Sequence, residues 1–175
     1  MPFQRHATRS RSMRALLVLA TVALATTASA PHGARSTNRP APPFELPALR
    51  GTASLDSLRG HVVYVDFWAS WCEPCRKSFP WMKTMAQRYG GQGFEVVAID
   101  LDKQRSDAMN FLGRYDAPFT VAFDPSGHTA ETYAVAAMPT SFLVDRRGII
   151  IDSHAGFDPR GAVRAESLIA EACAR

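Results

Sequence analysis

The apolar residues in the body of the chain fall into short, nearly continuous runs. The first run is HVVYVDFW at residues 61–68, and FEVVAID at 94–100 repeats the pattern. A continuous apolar run of this length is typical of a strand that is covered on both faces in a sheet. FTVAFD at 119–124 predicts a further, shorter strand.

Helical spacing follows the first of these strands. From Cys72 to Tyr89 apolar residues recur every three or four positions, with Pro80 inside the pattern, which predicts a kinked helix. The last helix is expected to have Asp158 as its N-cap, because Pro159 suits the first helical turn. This last helix is predicted at residues 159–172, and two shorter helices are predicted at residues 106–116 and 129–133.

Two regions have the pattern of hairpins. Residues 44–60 hold short apolar pieces that are broken by proline and glycine, and segments 140–145 and 148–156 are joined by a tight turn. Strands therefore alternate with helices, and the chain ends in a hairpin and a helix. This order predicts an α/β fold with a mixed central sheet flanked by helices.

The charge of the chain is unevenly placed. The formal net charge is +4, but residues 1–40 contain 6 arginines and no acidic residue. Residues 41–175 then hold 14 basic and 16 acidic residues, a net charge of −2. The body of the protein is slightly acidic, which disfavours nucleic acid as a partner.

The basic N-terminus has the features of an export signal. Arginines up to Arg14 precede ALLVLATVALATTASA, a run of signal-peptide length that ends in small residues and is short for a membrane span. Residues 28–30 resemble a cleavage site, although Pro31 disfavours cleavage there. Residues 1–30 are therefore predicted to be a cleaved signal peptide or a retained membrane anchor.

The next segment is rich in proline and has no apolar periodicity. Residues 31–43 are predicted to be a linker and residues 44–175 the folded domain. These features together predict a periplasmic or otherwise extracytoplasmic protein, soluble after cleavage or held by its N-terminal segment.

Cys72 and Cys75 lie directly after the first predicted strand, with two residues between them. A structural zinc site needs four ligands, usually two close pairs, and no second pair exists in the sequence, so no metal is expected. A copper or apo-protein chaperone that uses the two cysteines stays open, with His128 or His154 as a distant ligand. A permanent disulfide across so small a loop would remove little unfolded-state entropy. Electron transfer is the favoured interpretation.

The predicted junction of strand and helix gives the two thiols different roles. Cys72 would lie at the helix N-terminus, where unpaired N–H groups favour its thiolate. Cys75, one turn later, is placed to attack a mixed disulfide on Cys72. Glu73 disfavours a nearby thiolate, whereas Arg76 and Lys77 favour it, so the direction of the thiol pKa shift stays open.

The segment VDFWASWCEPC resembles the active-site segment of thioredoxins. Residues 44–172 as a whole resemble the exported TlpA/ResA-like branch of the thioredoxin superfamily. This resemblance implies a thioredoxin-like fold with an N-terminal hairpin and a central insertion between Asp100 and Pro139. It also implies a thiol–disulfide oxidoreductase that needs no organic cofactor and no metal.

The resemblance carries over residue by residue. Pro139 matches the cis-proline that faces the disulfide, and Met138 would bear the carbonyl that pairs with a substrate backbone. Asp66 matches a buried aspartate that accepts the proton of the second cysteine, with its pKa raised by desolvation. Trp71 resembles the tryptophan that contacts partners. The expected substrate groove comprises Trp71, Glu73, Pro74, Met138 and Pro139.

Two positions depart from related patterns. Ser78 stands where cytochrome c-maturation reductases usually have glutamate, so proton transfer through Asp66 is expected instead. Ala69 replaces the threonine of peroxiredoxins, which disfavours peroxidase chemistry. Cys173 is interpreted as a small buried residue near the end of the last helix, with an intermolecular or regulatory thiol as the alternative. His61, His128 and His154 have no supporting constellation and are interpreted as structural.

The sequence therefore predicts a redox enzyme in which Cys72 attacks, Cys75 resolves, Asp66 relays a proton and Pro139 shapes the groove. The resemblance implies a reductase of disulfides in exported proteins, supplied with electrons by a membrane thiol transporter. The residues between the cysteines leave open whether the pair reduces or oxidises its partners.

Overall fold

The structure of the protein is a computed structural model that describes residue 1 and residues 38–175. The chain divides into two units, residues 1–30 and residues 31–175, and every strand and helix described belongs to the second. The predicted export segment and most of the predicted linker lie outside the described residues. Within the described part, no helix has both the length and the apolarity of a membrane span.

Residues 38–175 contain the following elements. The strands are β1 (Arg39–Pro40), β2 (Glu45–Pro47), β3 (Thr52–Ser54), β4 (Val62–Trp68), β5 (Phe94–Asp100), β6 (Thr120–Phe123), β7 (Thr140–Val144) and β8 (Ile149–Ala155). The helices are α1 (Cys75–Tyr89), α2 (Arg105–Leu112), α3 (His128–Thr132) and α4 (Pro159–Cys173), with short 3-10 turns at Asp56–Leu58 and Gly90–Gln92.

Six of these strands form one mixed sheet in the order β1-β8-β7-β4-β5-β6. The β4–β5 and β5–β6 pairs are parallel, whereas β7 is antiparallel to both β4 and β8. The β2–β3 hairpin forms a separate small sheet. The predicted α/β fold is confirmed, and the predicted insertion between β5 and β7 contains α2, β6 and α3.

The strand β4 lies at the centre of this sheet, and all seven of its residues are buried. Its side chains alternate between two apolar clusters, as strand geometry requires. One cluster takes Val63, Val65 and Phe67 and packs them against α3 and the β2–β3 hairpin. The other takes Tyr64 and Trp68 and packs them against α1, α2 and α4.

An aromatic group joins β4 to the helices on this second face. The Trp68 ring lies 4.7 Å from the Phe79 ring of α1 and 4.7 Å from the Phe111 ring of α2, measured between centroids. Phe79 and Phe111 are themselves 4.8 Å apart. Such pairs add about 0.5–1.5 kcal/mol each beyond the burial of their area, so the end of β4 is held firmly against α1.

The helix ends follow local chemistry. Asp158 caps α4, as predicted, because its carboxylate accepts hydrogen bonds from the N–H groups of Arg160 at 2.8 Å and Gly161 at 3.0 Å. The helix α1 continues through Pro80, which has no N–H to offer the Arg76 carbonyl one turn earlier.

The end of the predicted linker packs against the domain. Arg39 and Pro40 pair with β8, and the Ala41 N–H donates to the Gly148 carbonyl at 2.9 Å. The hydroxyl of the buried Tyr133 donates to the Pro42 carbonyl at 2.7 Å. The structured region therefore begins before Phe44.

Replacing Tyr133 with Phe should loosen this N-terminal segment while the aromatic packing stays. We expect the free energy of unfolding to fall by about 1 kcal/mol, since one buried hydrogen bond is lost. Native-state hydrogen exchange should also accelerate at Ala41. Urea unfolding and exchange measurements test both effects, with Tyr115→Phe as the control. Unchanged exchange at Ala41 would show that Tyr133 does not hold the segment.

Candidate active site

The two cysteines lie between β4 and α1 and are joined by a disulfide bond with an S–S distance of 1.98 Å. The Cys72 N–H donates to the Ala69 carbonyl at 3.1 Å, which closes a turn before the helix. The helix begins at Cys75, with Pro74 as its N-cap, and its first four-residue hydrogen bond runs from Ser78 to Pro74. The prediction that the helix begins at Cys72 is therefore wrong by three residues.

The two sulfur-bearing residues differ in access. Cys72 keeps 4% of its surface exposed, whereas Cys75 is completely buried. Trp71, directly before them, is 67% exposed, which is unusual for so large an apolar side chain. Glu73 and Pro74 are also exposed. The surface around Cys72 therefore combines an apolar ring with a polar rim.

Two of the charged side chains beside the disulfide form an ion pair. The Arg76 Nη1 lies 2.7 Å from the Glu73 Oε2, and both side chains are exposed to solvent. An exposed pair of this kind contributes little stability and is screened by salt. Glu73 and Arg76, which are expected to shift the pKa of the thiols in opposite directions, are therefore partners in one ion pair.

The Met138–Pro139 peptide bond is cis, as the resemblance implies. Met138 packs against the apolar cluster that contains both cysteines. The carbonyl of the buried Pro139 accepts a hydrogen bond from the Gly156 N–H at 2.7 Å, and the Thr140 hydroxyl donates to the Ala137 carbonyl at 2.6 Å. The loop is therefore fixed from both sides.

Asp66 is completely buried in β4. Strand alternation places it on the same face as Tyr64 and Trp68, where the cluster contains Cys75. Its Oδ1 accepts a hydrogen bond from the Ser141 hydroxyl at 2.5 Å, and its buried Oδ2 has no partner among the described residues. Burial raises the pKa of Asp66 to about 7, although the Ser141 hydrogen bond opposes this shift.

A polar group around Asp66 was missed by sequence reasoning. The Tyr64 hydroxyl lies 3.4 Å from the Nε2 of His154, which sequence reasoning had interpreted as an isolated structural residue. In the sheet, Ser141 lies opposite both Asp66 and His154. The predicted hairpin of residues 140–145 and 148–156 pairs the strands that hold Ser141 and His154, but nothing in the sequence placed that hairpin beside Asp66 of β4.

Sequence reasoning also missed the neighbouring carboxyl groups of Asp100 and Asp102, which support the turn before Cys72. The Asp102 carboxylate accepts hydrogen bonds from the Ser70 N–H at 2.8 Å and the Ser70 hydroxyl at 3.1 Å. The Asp102 N–H in turn donates to the Asp100 carboxylate at 3.3 Å. Burial, together with the neighbouring Asp102 carboxylate, raises the pKa of Asp100.

Two further residues from the sequence analysis lie in buried positions. Ser78 donates its hydroxyl to the Cys75 carbonyl at 3.1 Å and is almost completely buried. Cys173 lies outside the disulfide at the end of α4, where burial raises the pKa of its thiol. Within residues 38–175, no three His, Cys, Asp or Glu side chains are grouped as a metal site would require.

Sequence comparison relates this site to known redox proteins. The redoxin family matches residues 36–170. The thiol-disulfide oxidoreductase ResA of Bacillus thuringiensis subsp. konkukian is 38% identical over 117 residues, which cover 66% of this chain and 68% of ResA.

Solved structures show the same relationship. A Chlorobium tepidum protein assigned as thiol:disulfide interchange protein DsbE matches with a TM-score of 0.76 and 50% identity, over 78% of this chain and 96% of that one. The exposed lipoprotein thioredoxin Etrx1 from Streptococcus pneumoniae matches with a TM-score of 0.63 and 31% identity, over 74% of this chain and 99% of that one.

These comparisons do not favour the alternative of a copper or apo-protein chaperone, because the relatives carry the names of redox enzymes. The family match, the thioredoxin-like fold and the Cys72–Cys75 disulfide all agree with a redox enzyme of this family. The chain therefore belongs to the redoxin family, and it is a thiol–disulfide oxidoreductase.

Proposed function

We propose that the protein reduces disulfides in exported proteins, with Cys72 as the attacking thiol and Cys75 as the resolving thiol. The observation that carries this proposal is the difference in access between the two cysteines. Cys72 is the only one of the pair with exposed surface, whereas Cys75 is enclosed on the face of the sheet that holds Asp66. A partner disulfide can therefore reach Cys72 first.

The reaction is a pair of exchanges. The Cys72 thiolate attacks one sulfur of the partner disulfide, so that a mixed disulfide forms and the other partner sulfur leaves as a thiolate. The Cys75 thiolate then attacks the Cys72 sulfur, which forms the Cys72–Cys75 disulfide and releases the second partner thiolate. The partner gains two electrons, and the enzyme pair loses two.

Asp66 accepts the proton that Cys75 must lose before its attack. A carboxyl group with a pKa of about 7 is ionised in an appreciable fraction of molecules near neutral pH and can still hold a proton. Its Oδ2 has no donor within residues 38–175, so this oxygen is available to the thiol. The Ser78 hydroxyl is engaged with the backbone and does not ionise, which leaves the proton to Asp66.

The substrate groove lies around Cys72, between the exposed Trp71 and the cis-proline loop. Trp71 offers an apolar surface to a partner, and the backbone of Met138 pairs with an extended partner segment next to Pro139. Glu73 and Pro74 form the opposite rim. An exposed apolar side chain beside a reactive sulfur supports a protein substrate, because exposed apolar surface of this kind marks interaction sites.

The proposed location is extracytoplasmic. Residues 1–30 would direct export and either be removed or stay as a membrane anchor, followed by a linker from residue 31. Cytosolic reductants do not reach that compartment, so a membrane thiol transporter would restore the dithiol. The name of the similar pneumococcal protein, an exposed lipoprotein thioredoxin, supports this location.

The reduction potential of the Cys72–Cys75 pair tests the direction of electron flow. We expect a value near that of thioredoxin, about −270 mV, rather than that of the oxidant DsbA, about −120 mV. Equilibration of the protein in dithiothreitol and glutathione buffers gives the potential. A value near the second figure would make the protein a disulfide donor, and the absence of a reversible two-electron transition would exclude redox catalysis.

Replacing each cysteine with Ser separates the two roles. Cys75→Ser should accumulate a mixed disulfide between Cys72 and its partner, because the resolving attack is lost. Cys72→Ser should form little adduct, since the remaining thiol is buried. Non-reducing electrophoresis and mass spectrometry measure the adducts, with Cys173→Ser as the control that keeps the pair. Equal adduct formation by both variants would contradict the assignment.

Replacing Asp66 with Asn should slow insulin reduction at neutral pH by about 10²-fold, the lower end of general acid–base contributions. The amide keeps the size of the side chain but cannot accept the Cys75 proton. Formation of the mixed disulfide in the Cys75→Ser background should stay unchanged, because that step does not use Asp66. If the Asp66→Asn variant turned over as fast as the parent, the proposed proton acceptor would be wrong.

Burial of Asp66 also predicts how stability varies with pH. The folded-state pKa is about 7, above the ordinary carboxyl value of 3.8, so the folded protein binds the proton more tightly. Asp66 therefore destabilises the fold least below about pH 4, where it is protonated in both the folded and the unfolded state. As the pH rises to about 7, the free energy of unfolding falls by about 4 kcal/mol in total because of this group. Urea unfolding of the oxidised protein across this range, compared with Asp66→Asn, measures the loss. A variant with the same pH dependence as the parent would contradict the shift.

A further inference from the structure

The complete burial of Asp66 creates a problem for its own proposed role. A carboxyl group with no exposed surface cannot return its proton directly to water. When the disulfide is next reduced, Cys75 leaves as a thiolate and can take a proton back from Asp66. Any proton that Asp66 exchanges with solvent between these steps must travel through other protein groups. Hydroxyl and imidazole groups can pass a proton along, because each can both accept and donate one.

Such groups lie in one row across three neighbouring strands. Asp66 of β4 is directly opposite Ser141 of β7, and Ser141 is directly opposite His154 of β8. Residues that are directly opposite in antiparallel strands point to the same face, with Cβ atoms about 4.5–5.5 Å apart. The row therefore runs from the buried centre of the sheet towards β8.

The side chains along this row are in contact. The Ser141 hydroxyl lies 2.5 Å from the Asp66 Oδ1, and it is also close enough to the Tyr64 hydroxyl to lower the Tyr64 pKa. The Tyr64 hydroxyl lies 3.4 Å from the His154 Nε2. This last separation is long for a hydrogen bond, as catalytic contacts often are before a substrate binds.

The row ends at the protein surface. His154 is half-buried and lines a cavity of about 250 Å³ together with Asp158, Arg160 and Arg164. Asp158 and Arg160 are exposed, so the cavity that His154 lines opens to solvent.

We infer that Ser141, Tyr64 and His154 form the path by which the proton accepted by Asp66 leaves the protein. Protonated Asp66 donates to the Ser141 oxygen as the Ser141 hydroxyl turns and donates to Tyr64. The Tyr64 hydroxyl proton passes to the His154 Nε2, and the proton on Nδ1 leaves to water in the cavity. Asp66 loses one proton, solvent gains one, and Ser141 and Tyr64 end with the number they started with. His154 ends as its other neutral tautomer, and exchange with water in the cavity returns it to the first.

The surroundings of His154 favour proton transfer from the Tyr64 hydroxyl to the His154 ring. Burial lowers the pKa of His154, so the neutral ring can offer Nε2 as an acceptor at neutral pH. Asp152 on the same strand and Asp158 at the start of α4 oppose that shift, whereas Arg164 of α4 adds to it. The buried Asp152 is itself paired with Arg164 at 2.8 Å. Burial and the nearby Asp66 raise the pKa of Tyr64, which therefore keeps its proton until it passes it on.

This inference rests on the proposed function of Asp66. Its test measures multiple turnover of the full chain, with insulin as substrate and dithiothreitol as reductant. Below about pH 7, most Asp66 groups begin a cycle protonated and must first release that proton. His154→Ala should therefore turn over about tenfold more slowly than the parent at about pH 6, with the difference shrinking as the pH rises.

Added imidazole separates proton transfer from a structural effect. Imidazole should restore turnover of His154→Ala, because it can enter the cavity and accept the proton from Tyr64. Pyrazole, a ring of the same size that is barely basic, should not. Tyr64→Phe should be slow in the same pH range but should gain nothing from imidazole, since the missing link lies before the cavity. His128→Ala, at an exposed histidine in α3, is the matched control and should behave as the parent does.

The Asp66→Asn background distinguishes the two proposals. If Asp66→Asn slows turnover and His154→Ala adds nothing to it, the path acts through Asp66 as inferred. If Asp66→Asn slows turnover while His154→Ala and Tyr64→Phe keep the parent's pH profile, the path is wrong and the role of Asp66 stands. If Asp66→Asn has no effect, the proposed role of Asp66 fails, and the path fails with it.

Discussion

The structure depends on the burial of β4 on both faces. This strand separates two apolar clusters, pairs with β5 on one side and β7 on the other, and ends where the cysteine turn begins. Because every residue of the strand is buried, a carboxyl group within it has no water to stabilise its charge. The position of Asp66 therefore sets its chemistry: the pKa rises into the neutral range, and its hydrogen bond comes from a neighbouring strand.

The end of β4 divides the site into an accessible side and an enclosed side. Trp71 is exposed and Cys72 keeps a small accessible area beside it, whereas Cys75 is completely buried at the start of α1. The proposed exchange with a partner disulfide would take place at Cys72, and the proposed proton transfer would take place at the enclosed Cys75. The turn at residues 69–72 produces this division, and the Ser70–Asp102 hydrogen bonds hold that turn in place.

The buried carboxyl group also has a stability cost that the surrounding core offsets. An ionised group without solvent destabilises the fold, and a buried oxygen with no donor among the described residues adds to that effect. The close aromatic contacts of Trp68, Phe79 and Phe111 lie on the same face of the sheet and stabilise the junction of β4 and α1. Instability of this kind is common at functional sites, where the rest of the fold compensates for it.

The sequence by itself determined the elements whose signals are local. Continuous apolar runs predicted β4 and β5, and the N-cap and proline predicted α4. The motif around Cys72 and Cys75 predicted the redox pair, and the resemblance that it carries gave Asp66 and Pro139 their proposed roles. The tertiary structure alone decided that α1 begins at Cys75, that Arg39 pairs with β8, and that Ser141 and His154 lie in one row with Asp66. The start of α1 depends on how the turn after β4 packs. The β1–β8 and β4–β7 pairings join strands that are distant in the chain, and their register arises only when these strands pack into one sheet.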